Sequence, residues 1–195
     1  MDLQPEVSLR RFRELGVQDI DEMLNPYRQL GVFHDLEMGL VGREEFVARL
    51  NEHAGTALTD EQVNEAIMLF LKGVPQYKFD YLEQLRKEYK IYILSNTNPY
   101  IMAYAHSPHF LPATGRMLSD YVDKVYASCE MQTMKPDRAI YEQMIADSGM
   151  VPERTLFIDD STANIEAAAA LGLQTLLAVN ATDWHPALAA RLQCD

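Results

Sequence analysis

Asp159 and Asp160 stand side by side at the end of Thr155–Ser161, where an apolar run of strand length, Thr-Leu-Phe-Ile, gives way to two carboxylates and a serine. Neighbouring acids repel each other and lose hydration together, and a hard cation such as Mg²⁺, which prefers oxygen ligands, relieves both costs. The plainer alternative is one Asp capping a helix and the other solvated. Which holds depends on what accompanies the pair. A helix follows through Asn164, Ile165 and Ala167 to Ala170 before Gly172 stops it, so the acids sit at the mouth of a strand–loop–helix unit. Parallel sheets bind ligands beyond the carboxyl ends of their strands, which is where this mouth opens.

Two other stretches could contribute to the same chemistry. Ser95-Asn96-Thr97-Asn98 directly follows the apolar run Ile91–Leu94 and offers a hydroxyl, amides and backbone donors suited to phosphate oxygens. The same four residues are also a common helix cap. Lys135 precedes Pro136 and Asp137, where proline fixes the backbone and a helix begins, so its ammonium could be delivered to a phosphoryl group. A solvated surface lysine is the ordinary reading of any single Lys.

The elements that must hold these residues form an α/β pattern with a helical front. From Leu3 to Val74 the apolar spacing is helical throughout, with no convincing strand. Pro5 opens a helix with Leu9, Phe12 and Leu15 on one face. Further helices are predicted over Ile20–Leu24, Val32–Met38 and around Phe46, Val47 and Leu50, and Thr59 with Gln62 has capping-box spacing. After Gly73 helices and strands alternate: a helix through Leu82, Leu85 and Tyr89, a strand at Ile91–Leu94 buried on both faces, and a helix near Ile101–His106. A strand within Val122–Ala127, a helix capped by Asp137, the Thr155–Ile158 strand and its helix, a strand at Thr175–Val179 and a helix from His185 to Leu192 complete it. The predicted organisation is a helical cap subdomain over 1–74 and a Rossmann-like α/β core with a parallel sheet over 75–195.

Composition narrows the partners. A formal net charge of -12 argues against nucleic acid and anionic membrane surfaces, and an anionic substrate would need a local lysine or a metal. No basic, apolar leader opens the chain and no apolar run reaches membrane-spanning length. Cys129 and Cys194 are spaced as free thiols, as in a cytoplasmic protein, and the sequon Asn180-Ala181-Thr182 is then a chance match. Phe33, His34, Glu37 and Arg43 are candidate lining residues of the helical part, though core or surface roles are the ordinary ones. Met131, Met134 and Tyr126 read as packing, and Trp184 as an anchor for the last helix. Nothing in the sequence fixes an oligomeric state.

The order of these signals, a Ser after a strand, a Lys-Pro at a helix start and an acidic pair after a further strand, resembles the later signatures of the haloacid dehalogenase (HAD) superfamily. Tyr92–Asn98 looks like its Leu-Ser-Asn-Thr loop and Phe157–Leu171 like its terminal acidic motif, while Leu3–Val74 looks like the cap of its phosphatase branch, nearest to bacterial sugar-phosphate phosphatases. The resemblance implies that Ser95 binds the transferring phosphoryl group with the Asn96 amide nearby. Lys135 would stabilise charge on the phosphate. Asp160 would bind Mg²⁺ directly, Asp159 in the first or second ligand sphere, and Asn164 would orient the loop. The three stretches are expected to gather around one cation-assisted phosphate pocket.

The family's aspartate nucleophile, carried at the end of a first strand before the cap, has no counterpart here, since Asp2 follows no apolar strand. Two expectations follow: a shortened, catalytically impaired chain, and a slot between the strands ending at Leu94 and Ile158 where a central strand would lie. The function expected is Mg²⁺-dependent hydrolysis of a small phosphorylated metabolite, possibly a sugar phosphate. One alternative is a non-catalytic phosphate- and metal-binding module. A haloacid dehalogenase is the other, weakened by its having no need of Asp159-Asp160. Phosphatase assay of this chain beside an upstream-extended one separates the first two.

Overall fold

Pro5 starts the first long helix because its ring presets helical φ and its missing amide would have had no partner there. The computed structural model describes residues 2–24, 30–178 and 185–192. Cys194, Trp184, Val179 and the Asn180–Thr182 sequon lie outside them. Two compact units divide the chain, 1–132 and 133–195.

In the first unit, β1 (Asp2–Leu3) is followed by α1 (Pro5–Glu14), α2 (Ile20–Met23), α3 (Gly31–Glu37), α4 (Arg43–Ala54) and α5 (Asp60–Met68), and then by β2 (Leu71–Gly73). The helices gather around Phe12, Phe33, Phe46 and Leu50, with edge-to-face ring contacts from Phe12 to Phe33 at 5.7 Å and from Phe33 to Phe46 at 4.9 Å. Phe33 is therefore core and lines no site. Ser8 Oγ, fully buried, donates to the Ala66 carbonyl at 2.7 Å and fastens α1 to α5. The capping box is present: Thr59 Oγ1 accepts from the Gln62 amide at 3.3 Å, and Gln62 Oε1 accepts from the Thr59 amide at 2.9 Å. Gly39, with φ +65°, follows α3 where any Cβ would lie 2.0 Å from the Cys129 carbonyl oxygen, so only glycine permits that approach.

The expectation of no strand before Val74 is corrected. β1 pairs antiparallel with β2, Asp2 opposite Gly73 and Leu3 opposite Leu71, and the Gln4 amide extends the pairing to the Phe70 carbonyl at 2.9 Å. Strands of two and three residues are too short for alternation to register, which is why the pattern missed them. Their pairing brings the entry and exit of the helical segment together.

The unit continues with α6 (Gln76–Leu85), β3 (Tyr92–Ser95), α7 (Pro99–Ala105), β4 (Lys124–Ala127) and α8 (Ser128–Met131). β3 and β4 pair in parallel, Ser95 opposite Ala127. Phe79, Phe110 and Tyr121 form a second aromatic core beneath them. Tyr89 is not on α6. The helix stops at Leu85 because the chain must straighten into the ladder, where the Ile91 amide donates to the Asp123 carboxylate at 2.8 Å and the Asp123 amide donates to the Ile91 carbonyl at 2.7 Å. β3 also falls short of two-sided burial: of its residues only Leu94 is buried, because among the described residues its ladder is two strands wide.

The second unit comprises α9 (Arg138–Ser148), β5 (Leu156–Asp159), α10 (Thr162–Ala169), β6 (Gln174–Leu177) and α11 (His185–Leu192). β5 and β6 pair in parallel, Leu156 opposite Gln174 and Asp159 opposite Leu177. Tyr141, fully buried on α9, meets the Phe157 ring edge-to-face at 5.5 Å. No helix among the described residues is long and apolar enough to cross a membrane.

Candidate active site

In the second unit the acidic pair divides into two different carboxylates. Asp159 is the last residue of β5 and points into protein; Asp160, the first residue past the strand, is exposed. One oxygen of Asp159 accepts from Lys135 Nζ at 2.7 Å. The other accepts from the Ser161 amide at 2.9 Å and from Asn164 Nδ2 at 2.8 Å. The side chains of Lys135 and Asp159 retain only 11% and 7% of their exposure, so this is a desolvated, charge-assisted bond whose acceptor is also satisfied elsewhere.

Local sequence explains each position. Asp137 caps α9 by accepting from the Ala139 amide at 2.9 Å, which sets the start of the helix three residues beyond Lys135. Asn164 lies in the first turn of α10, near enough to reach back to the strand end, and its backbone carbonyl accepts from the Tyr141 hydroxyl at 3.1 Å. Burial, and then the charge of Asp159, raise the Tyr141 pKa, so that hydroxyl stays protonated as a donor. Neither Tyr141 nor the Ser161 amide was singled out from sequence. Ser161 had a readable signal, because the first residues after a strand end supply backbone donors at a sheet edge.

Lys135, Asp159 and Asn164 are thus brought together, while Asp160 stands at the same strand end with no hydrogen bond or ion pair among the described residues. Its exposed carboxylate suits a hard cation. Among those residues no three His, Cys, Asp or Glu side chains converge.

In the first unit, Ser95 is the last residue of β3. Asn98 resolves the capping ambiguity of Ser-Asn-Thr-Asn, since its Oδ1 accepts from the amides of Tyr100 at 3.1 Å and Ile101 at 3.2 Å. The cap therefore occupies Asn98 alone. Thr97 is held from the neighbouring strand end: Ser128 Oγ accepts from its amide at 2.9 Å and donates to its carbonyl at 3.1 Å. Among the described residues the Ser95 hydroxyl makes only a long contact, 3.4 Å to the Asn96 carbonyl, and it is half-buried. Ser128 was missed in the sequence, though it stands directly beyond β4 at the edge where parallel sheets bind.

Glu37, at the end of α3, keeps some accessible surface, yet protein crowds it on nearly every side and it has no hydrogen-bonding or ionic partner among the described residues. Crowding governs its hydration, and desolvation raises its carboxyl from 4.5 to about 7. The folded chain then holds this proton up to about 7 while the unfolded chain releases it near 4.5, so stability is full below 4.5 and declines as pH rises to 7. Glu37→Gln is expected to melt with the parent near pH 4.5. By pH 8 it should be more stable by on the order of 2 kcal/mol, discounted for residual exposure. Parallel melting curves of the two proteins at every pH would refute the assignment.

Residues 7–172 match the family model of haloacid dehalogenase-like hydrolases, and the chain belongs to this family. It is 39% identical over 188 residues to a D-ribitol-5-phosphate phosphatase of Bacteroides thetaiotaomicron, covering 96% of this chain and 91% of the relative. A solved structure described as a predicted HAD-like family hydrolase, from Porphyromonas gingivalis, superposes with TM-score 0.93 at 48% identity over 99% of this chain and 92% of that one. A HAD family enzyme of Bacteroides thetaiotaomicron, solved as an aspartate-to-alanine variant with magnesium and inorganic phosphate, superposes with TM-score 0.90 at 33% identity, covering 96% and 92%.

Proposed function

We propose that this chain is a Mg²⁺-dependent phosphatase of small phosphorylated polyols or sugars, with a five-carbon polyol phosphate as the first substrate to test. The observation that carries the reading is the division of labour at the end of β5, where Asp159 is consumed in holding Lys135 and Asp160 is left open. Likeness to a D-ribitol-5-phosphate phosphatase and to a magnesium–phosphate complex supports the substrate class and the metal.

In this reading Asp160 is the metal's direct protein ligand, and Asp159 acts behind it by fixing Lys135. A bound Mg²⁺ would neutralise charge on the phosphoryl oxygens. Lys135 adds a fixed positive charge, which a chain of net charge -12 needs if it is to hold a phosphate monoester. In the first unit the groups proposed to donate to phosphoryl oxygens are the Ser95 hydroxyl and the Asn96 amide, and helices α1–α5 are the proposed cap for a small substrate. We read the location as cytoplasmic, where phosphorylated metabolites reside. Cys129 is compatible, because burial, and then the charge of Glu130, push its thiol up to about 11 and keep it inert.

The test is phosphate release from ribitol 5-phosphate and a panel of hexose and nucleoside phosphates, with Mg²⁺ or with chelator, beside calorimetric titration of inorganic phosphate. Mg²⁺-dependent release that favours the polyol phosphate is expected. Mg²⁺-dependent phosphate binding without release would favour the non-catalytic binding module instead. Absence of both would end the proposal.

A further inference from the structure

Tyr100 is tied at both of its ends to different parts of the first unit. Its amide donates to Asn98 Oδ1 at 3.1 Å, inside the cap that closes the Ser95–Asn98 loop. Its ring, 1% exposed, belongs to the helical core with Phe46 at 6.2 Å, and its hydroxyl donates to Asp60 Oδ1 at 2.8 Å, on the first residue of α5. Arg43, the first residue of α4, donates from Nε to that same oxygen at 3.1 Å and from Nη2 to the other, and its guanidinium lies 4.1 Å from the Tyr100 ring centre. We propose that Tyr100, Asp60 and Arg43 are positioning residues that hold the Ser95–Asn98 loop in its phosphate-receiving conformation by locking it to the start of α4 and α5.

Packing alone does not explain these residue types. Arg43 and Asp60 keep 36% and 40% side-chain exposure, at which an ion pair adds little stability, and phenylalanine at position 100 would fill the same space. What the hydroxyl adds is direction: it permits one placement of the ring relative to α5, and the ring is one residue from Pro99 and two from Asn98. With Thr97 held by Ser128 on the other side, the loop is fixed at both flanks, and the Ser95 hydroxyl stands at its head. A displacement there costs affinity and rate because donors preorganised for phosphate lose their aim.

The inference rests on the phosphate reading of the Ser95 loop, and the experiment separates the two. Affinity for inorganic phosphate with Mg²⁺, which does not require turnover, is measured for the parent, Tyr100→Phe, Asp60→Ala, Asp60→Asn and Ser8→Ala. Tyr100→Phe and Asp60→Ala are each expected to weaken phosphate by about tenfold, the loss of one hydrogen bond's worth of alignment, with the double variant no worse than either. Asp60→Asn keeps an acceptor for the hydroxyl while losing its charge, and should restore most of the affinity. Ser8→Ala loosens α5 against α1, away from the loop, and should leave affinity unchanged. Equal weakening by Ser8→Ala and Tyr100→Phe would reduce the triad to general stability, and parental affinity in Tyr100→Phe would overturn it outright. If the parent itself fails to bind phosphate, the functional reading falls first.

Discussion

Asp160→Asn is expected to remove Mg²⁺-dependent phosphate release and Mg²⁺-dependent phosphate affinity by about 100-fold or more, while leaving the fold intact. The size follows from asparagine presenting one neutral oxygen where a cation would meet an anionic carboxylate. The fold should survive because Asp160 is exposed and bonded to nothing among the described residues, and such surface changes stay within about 0.5 kcal/mol of neutral. Two measurements decide it: thermal melts without metal, expected to coincide with the parent, and phosphate titration at several Mg²⁺ concentrations. Undiminished Mg²⁺ dependence in the variant would move the metal to another ligand. A lowered melting point without metal would show that Asp160 has a structural task.

That contrast between two adjacent aspartates marks how far sequence alone reaches. Order and type were legible: a serine after one strand, a lysine at a helix start and two acids after another strand, because strand and helix periods differ and parallel strands put their loops on one edge. The long helices were legible as well, since capping at Thr59 and the spacing of Leu9 and Phe12 are local properties. What stayed hidden depends on contacts distant in sequence. The short β1–β2 pairing joins residues about 70 positions apart, and neither strand is long enough to carry a pattern. Which aspartate faces protein depends on where β5 ends, and one residue of register exchanges their roles. Of the four residues Ser95–Asn98 it is Asn98 that caps the helix, and Tyr100, just ahead of the predicted Ile101–His106 helix and not singled out in the sequence, bonds to a carboxylate 40 positions earlier.

Lys135→Met should be the most destabilising of these substitutions in the second unit. The lysine and Asp159 are both nearly sealed from water, and removing one member of such a pair leaves an uncompensated charge, at a typical cost of 3–5 kcal/mol. Here the Ser161 amide and Asn164 still hold one oxygen of Asp159, so the loss should lie near the lower bound, about 3 kcal/mol, or roughly 6–12 °C in melting temperature for a chain of this size. Adding Asp159→Asn to Lys135→Met removes the stranded charge and should recover most of that loss. The coupling in the double-mutant cycle then measures the pair. Lys135→Arg, which is charged but too large for a nearly sealed site that holds the lysine Nζ 2.7 Å from Asp159, should fold better than Lys135→Met and still bind phosphate poorly. Recovery of stability in the double variant without recovery of phosphate affinity would separate the observed duty of Lys135, holding the end of β5 together, from its proposed one, serving the phosphoryl group. If the double variant instead bound phosphate as the parent does, Lys135 would have no part in the proposed chemistry, and its conspicuous place beside Pro136 would be a matter of folding alone.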